Sequence, residues 1–280
     1  MRKSGLIQHY KDKQVSFHLY FKSTFERQGI EEIHQLRLSI KKLRTILSLM
    51  ELVSHGMLNK KGYFSLLSKL FDAAGEVREA QVSLRLIEKS NAIYLMPYKE
   101  YLKETQSRAN IKLLTTMQAF DFKSFEILNN KFLQEMKGIT SENAIRKSAA
   151  YVLKKIRKVY ELKNHLPDNR KLHKIRIHLK AVFEIMTIMN ELNSGSTVLE
   201  KLQNKIKSID KKIGKWHDYV ILLTSLNYFT NQILMNKNVR YLINLIRRIE
   251  YHQEIRQQNI LRLINKYITQ RELKLIEKLF

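Results

Sequence analysis

Cysteine is absent from the 280-residue chain, and glycine (8) and proline (2) are scarce. Without cysteine there are no disulfides, no thiolate metal sites and no cysteine nucleophile, and the absence fits a reducing compartment. The glycines stand singly at Gly5, Gly29, Gly56, Gly62, Gly75, Gly138, Gly195 and Gly214. That spacing excludes the clustered-glycine loops that cradle phosphates in P-loop and dinucleotide-binding proteins. Sheet proteins and α/β enzymes draw on glycine and proline for their turns, so the scarcity counts against them as well. No apolar run approaches the roughly 20 residues needed to cross a bilayer. The N-terminal MRKSGLIQHYKDKQ turns polar too soon to hold a signal peptide's apolar region. We therefore expect a soluble, cytoplasmic protein with no membrane insertion.

Positive charge is what the chain has in excess. It carries 51 Lys+Arg against 26 Asp+Glu, a formal net charge of +25. A hydrophobic content of 44% argues for a packed core despite that charge. The excess points to a polyanionic partner: nucleic acid, an anionic membrane surface or polyphosphate.

The helical period runs almost throughout. Leu36, Ile40, Leu43 and Leu47 fall on one face, as do Leu172, Ile175, Leu179, Val182 and Met186. Breaks are expected near Gln28-Gly29, Ser54-His55-Gly56, Ser90-Asn91, Lys137-Gly138, Pro167-Asp168 and Asn193-Ser194-Gly195-Ser196. Most of the segments between them are several helical turns long, which predicts long antiparallel helices joined by short connections. Pro97 sits near the start of such a segment, where proline is tolerated.

An internal repeat organises the chain. His34-Gln-Leu-Arg37 in the first half recurs as His173-Lys-Ile-Arg176 in the second, and at the same offset Lys41 matches Lys180 and Gly75 matches Gly214. We therefore expect an all-α fold of two pseudo-symmetric four-helix bundles. They occupy residues 1–139 and 140–280, within one domain over 1–280. The first half carries a net +9 and the second a net +16.

His34, Arg37, Lys41 and Arg44 are spaced i, i+3, i+7, i+10 and form one stripe at about 100° per residue. It flanks the apolar seam, centred about 100° away, rather than facing fully outward. A charge stripe is commonly no more than a solvated face. Here it is repeated in register, histidine included, and lacks the acidic i+4 partners of a neutral solvated helix. Glu31 and Glu32 precede it as complements of the helix N-terminus. Each histidine reads either as a packing residue or as a hydrogen-bond donor to phosphate. In GEVREAQVSL and GKWHDYVILL the glycine is expected to open a helix, with Arg78 equivalent to His217 and Glu79 to Asp218. The acids would orient or neutralise neighbouring basic groups, and Trp216 reads as core.

These residues resemble the CHAD family, the conserved histidine α-helical domains. Its first signature, His-x-x-Arg-x-x-x-Arg-Arg-x-Arg, is matched by His34, Arg37, Lys41, Lys42 and Arg44. Its second, His-x-x-Arg-x-x-x-Lys-x-x-Arg-Tyr, is matched by His173, Arg176 and Lys180, with Phe183 and Glu184 in place of the last two. The glycine elements match Gly75 to Glu79 and Gly214 to Asp218, with Glu79 where aspartate is usual. The resemblance implies two four-helix bundles around a basic channel that binds inorganic polyphosphate. It further implies a binding module without catalysis, associated in some members with polyphosphate granules. Lysine at 41 and 42 keeps the charge but loses the bidentate fork of arginine.

On this reading Arg37, Arg44, Arg78 and Arg176 fork onto phosphate oxygens. Lys41, Lys42, Lys180 and Lys215 act as point charges, and His34, His173 and His217 complete the set. No catalytic residue, metal or cofactor is expected. RNA or DNA binding is the alternative, which base-stacking aromatics among the basic residues would favour. A metal-dependent phosphohydrolase around His217-Asp218 would need further carboxylate ligands, and no Asp follows Asp218. An anionic-membrane role would need an exposed apolar face beside the basic one.

Overall fold

The computed structural model describes residues 5–54, 61–88, 92–192, 197–233 and 240–278, and among them there are helices and no strand. The first half contains α1 (Gly5–Arg27), α2 (Ile30–Val53), α3 (Lys61–Ile87), α4 (Met96–Gln118) and α5 (Phe122–Glu135). The second contains α6 (Ser141–Lys163), α7 (Asn169–Leu192), α8 (Thr197–Tyr228), α9 (Arg240–Tyr267) and α10 (Gln270–Lys278). Among the described residues each half thus has four long α-helices and one short one. The α2 and α7 spans are both 24 residues long and start at equivalent positions of the repeat.

Local chemistry sets the boundaries. Gln28 closes α1 with φ 51, and Gly29 in extended conformation precedes α2. Asp121 caps α5 by accepting from the Ser124 N–H at 2.9 Å, and Thr140 caps α6 through the Asn143 N–H at 3.2 Å. Asp168 accepts from the Arg170 and Lys171 N–H groups at the start of α7. Thr269 accepts from the Glu272 N–H at the start of α10. Pro97 lies in the first turn of α4. The expected breaks at 28–29 and 167–168 fall between helices and that at 137–138 in the 3-10 turn Met136–Gly138 between α5 and α6, whereas His55-Gly56, Ser90-Asn91 and residues 193–196 lie outside the described residues.

The apolar faces read from the sequence are buried. Leu36, Ile40 and Leu47 of α2 are fully enclosed, as are Leu172, Ile175, Leu179, Val182 and Met186 of α7. Truncating one such leucine to alanine costs about 2–5 kcal/mol. These faces belong to one core that takes side chains from both halves of the chain. Within it α2 packs on α1, α3, α6 and α7, and α3 packs on α4 and α8. Trp216 is buried in this core. A smaller apolar cluster joins the C-terminal parts of α3 and α8 to the N-terminal parts of α4 and α9. The stripe-bearing helices α2 and α7 are therefore held against each other, with α3 and α8 alongside.

Candidate functional site

The site is built on α2, α3, α7 and α8. Each stripe lies beside its helix's buried seam, so its cations start half-buried and their stems pack before their heads reach solvent. On α2, the Arg37 Nη1 donates to the Phe71 carbonyl of α3 at 2.7 Å, and its guanidinium lies 4.2 Å from the centre of the Phe71 ring. The same ring has Lys41 Nζ at 5.5 Å and the Arg44 guanidinium at 5.4 Å. Phe71 is thus a platform beneath three cations, a geometry in which the negative face of the ring offsets part of their charge.

Gly75 lies one turn beyond Phe71 and is not the start of a helix, as the sequence suggested. It lies in the interior of α3, and Gly214 likewise lies inside α8. The reason is close approach rather than helix termination. A Cβ on Gly75 would stand 2.5 Å from Arg37 Nη1, so only a residue without a side chain lets the guanidinium lie against α3. The corresponding approach at Gly214 is looser, with the nearest Arg176 nitrogen 4.0 Å from such a Cβ.

The two stripes meet across the α2–α7 contact. Burial, then the neighbouring Lys180, Arg37 and Arg176 charges, pull the Lys41 ammonium down to about 7, against the opposing pull of Asp210. Lys180 is lowered first by burial and then by Arg176. His217 is pulled down to about 4 by burial and by Arg176, His173, Lys180 and Lys41. Burial also lowers His34, helped by the Arg78 charge, and lowers His173, helped by Arg176. The His173 and His217 rings lie 5.3 Å apart. Each of these shifts disfavours the protonated form, the expected result when cations are crowded and partly desolvated.

Carboxylates stand at the edge of the cluster. Asp218 pairs with Arg85 at 3.3 Å, bridging α8 and α3. Burial raises Asp218 against the pull of Arg85, Arg176, Arg78 and Lys180. Among the described residues no carboxylate lies within ion-pair distance of Arg37, Lys41, Arg176 or Lys180, and the buried Arg176 Nε has no hydrogen-bond partner. The Arg78 Nη1 donates to Gln81 at 3.3 Å.

Eight of the eleven sequence-predicted residues come together here: His34, Arg37, Lys41, Arg78, His173, Arg176, Lys180 and His217. Arg44 stays on the stripe but sits at its far end, 4.8 Å over Phe64. The Lys42 charge acts on Glu184, whose carboxyl is raised by burial and pulled back by Lys42, Lys13 and Lys180. Lys215 is exposed, on a different side of α8 from His217. Sequence reasoning missed Phe71, Arg85 and Asp210. Phe71 and Asp210 are themselves equivalent positions of the repeat, so a ring in one half corresponds to a carboxylate in the other. Arg85 follows Arg78 by two helical turns, which puts it on the same face of α3.

No curated protein matches the chain. Among solved structures, the crystal structure of the CHAD domain from the plant Ricinus communis is similar. It has 16% sequence identity and a TM-score of 0.72, over 97% of this chain and 91% of that one. At that identity the likeness shows the fold. The CHAD domain family model matches residues 22–227, a span that holds both stripes, both close-approach glycines and every residue of the cluster; the chain belongs to the CHAD domain family.

Proposed function

We propose that this protein binds inorganic polyphosphate along the cation cluster between α2, α3, α7 and α8, and that it is a binding module rather than an enzyme. The two halves, 1–139 and 140–280, act on this reading as two copies of one unit facing each other across the cluster. The observation that carries it is the set of half-buried Arg37, Lys41, Arg176 and Lys180, on which the charges of Asp72, Glu79, Glu184, Asp210 and Asp218 act from a distance but which have no carboxylate within ion-pair distance among the described residues. Leaving like charges together and partly desolvated is unfavourable unless a counter-charge completes them. A flexible chain of phosphates supplies that counter-charge, through forked hydrogen bonds to arginine and point contacts to lysine. It needs no bases to be read. Phe71, under three cations of the cluster, is engaged by them rather than offered to a base, and this favours polyphosphate over RNA or DNA along the cluster itself. Asp218 is engaged by Arg85 and His217 is surrounded by cations, an arrangement suited to holding an anion. A cytoplasmic location, with or without polyphosphate granules, belongs to the same reading.

The test is titration with long-chain polyphosphate in near-physiological salt, with single-stranded RNA and duplex DNA of matched charge as competitors. Polyphosphate should win, its affinity should fall steeply with added salt, and the Arg37→Glu/Arg176→Glu double variant should lose it. Equal competition by nucleic acid, or unchanged binding by a folded double variant, would refute the assignment.

A further inference from the structure

A cavity of about 440 Å³ opens beside His217, between α3, α4 and α8. That volume lies within the range of small-molecule sites. Its α8 wall is a single helical face: His217, Val220, Ile221, Thr224, Ser225 and Tyr228 follow at i, i+3, i+4, i+7, i+8 and i+11. The wall runs roughly 16 Å at 1.5 Å per residue. At one end stands His217, in the field of Arg176, Lys180 and Lys41. At the other stand two tyrosines, Tyr101 and Tyr228, with ring centres 6.5 Å apart and planes 30° from parallel. Tyr101 is fixed from behind by Tyr98 at 6.2 Å and Phe229 at 5.2 Å, whereas Tyr228 is 56% exposed. Between the ends, Ala80, Val220 and Ile221 supply apolar surface, and Thr224 and Ser225 supply hydroxyls, that of Thr224 donating to the Val220 carbonyl at 3.0 Å and left with its lone pairs as acceptors. Glu79 adds a carboxylate acceptor from α3, on the opposite wall.

This order of surfaces is that of one class of ligand: an anionic tail, a hydroxyl-bearing middle and a flat aromatic end. We propose that the cavity takes the nucleoside end of a nucleoside polyphosphate whose phosphate tail lies on the cation cluster. The inference rests on the polyanion reading of that cluster and adds to it a second specificity. The tail is held by charge, and the base stacks on the exposed face of Tyr228 against a rigid aromatic backing. A chain held only by its phosphates gains nothing from this end of the cavity. A nucleotide gains one base–aromatic stack.

The experiment compares ATP with tripolyphosphate by calorimetric titration of the full chain, with EDTA present so that both ligands are free of metal. The two have the same number of phosphorus atoms, and ATP has no more charge, so electrostatics alone predicts that ATP binds no better. The expected result is ATP tighter by about fivefold or more, the low end of what one stacked base contributes. Tyr228→Ala should bring ATP to the level of tripolyphosphate without changing the tripolyphosphate affinity, and Tyr228→Phe should keep the difference. If tripolyphosphate binds and ATP is no tighter, or if Tyr228→Ala leaves the difference intact, the nucleoside pocket is overturned and the cluster reading stands. If neither ligand nor long-chain polyphosphate binds, the cluster reading fails and the pocket falls with it.

Discussion

Two glycines at equivalent places in the repeat should respond to alanine in opposite directions. In the interior of a helix, alanine is favoured over glycine by about 0.8–1.0 kcal/mol. At Gly214 the new methyl group meets only an Arg176 nitrogen at 4.0 Å, an ordinary contact, so Gly214→Ala should collect the full gain. At Gly75 the methyl would stand 2.5 Å from Arg37 Nη1, so the guanidinium must move. It then loses the 2.7 Å bond to the Phe71 carbonyl and its seat over the Phe71 ring. A hydrogen bond from a charged donor is worth about 1.5–3 kcal/mol, which outweighs the propensity gain. Gly75→Ala should therefore destabilise by about 1 kcal/mol, leaving the two variants about 2 kcal/mol apart. Chemical denaturation read by far-ultraviolet circular dichroism resolves that difference. Polyphosphate titration gives the second readout: Gly75→Ala should bind more weakly, because Arg37 is displaced, and Gly214→Ala should bind as the parent does. Equal stabilisation by both substitutions would refute the reasoning, since it would mean that no guanidinium rests on α3 at Gly75.

Lys41 gives a pH-dependent prediction. The folded chain holds its proton up to about 7 and the unfolded chain up to the ordinary lysine value of 10.5, so between these the unfolded state binds more protons. Stability from this group therefore rises with pH across that window, and the gain in stability on Lys41→Met, followed by urea unfolding, should be greatest below about 7 and vanish toward 10.5. Polyphosphate should restore the proton, so binding measured one pH unit above that value should take up protons, seen as a dependence of the binding enthalpy on the buffer's ionisation enthalpy. Asp218→Asn removes a carboxylate that Arg85, Arg78, Arg176 and Lys180 all attract. Because its ion pair with Arg85 is partly exposed, stability should change by less than about 1 kcal/mol, while polyphosphate binds more tightly in a filter or mobility-shift assay. Asn129 accepts from the buried hydroxyls of Tyr10, at 2.7 Å, and Tyr63, joining α1, α3 and α5. Asn129→Ala leaves a buried hydroxyl unpaired and should cost about 2–3 kcal/mol in denaturant unfolding.

The helical class and the buried faces of α2 and α7 are legible in the sequence because burial imposes a period that composition does not hide. The short helices α5 and α10 are harder to see. Their starts carry no glycine or proline; each is set by a side-chain cap, Asp121 with Ser124 and Thr269 with Glu272. The stripe residues are legible as a spacing, but their partners are not. Arg37 and Lys41 meet Arg176 and Lys180 only because α2 packs on α7, a long-range contact that periodicity does not encode. Rotation by one residue, about 100°, separates Lys42 from Lys41 and Lys215 from Gly214, which is why neighbours in the chain diverge in space. Phe71 resembles any core aromatic until Arg37 is found lying on it. The glycine motif is visible as a repeat, yet its meaning depends on which arginine approaches.

The like-charged cluster is set into helices that share one apolar core, so whatever neutralises it also acts on folding. A polyanion that binds only the native chain adds about 2.7 kcal/mol at a hundredfold excess over its dissociation constant, a sizeable share of a typical domain's stability. In a cell that fills and empties its phosphate stores, the same chain would pass between a tightened form and a looser one that proteases open more readily. Its lifetime would then follow the supply of its ligand with no separate sensor.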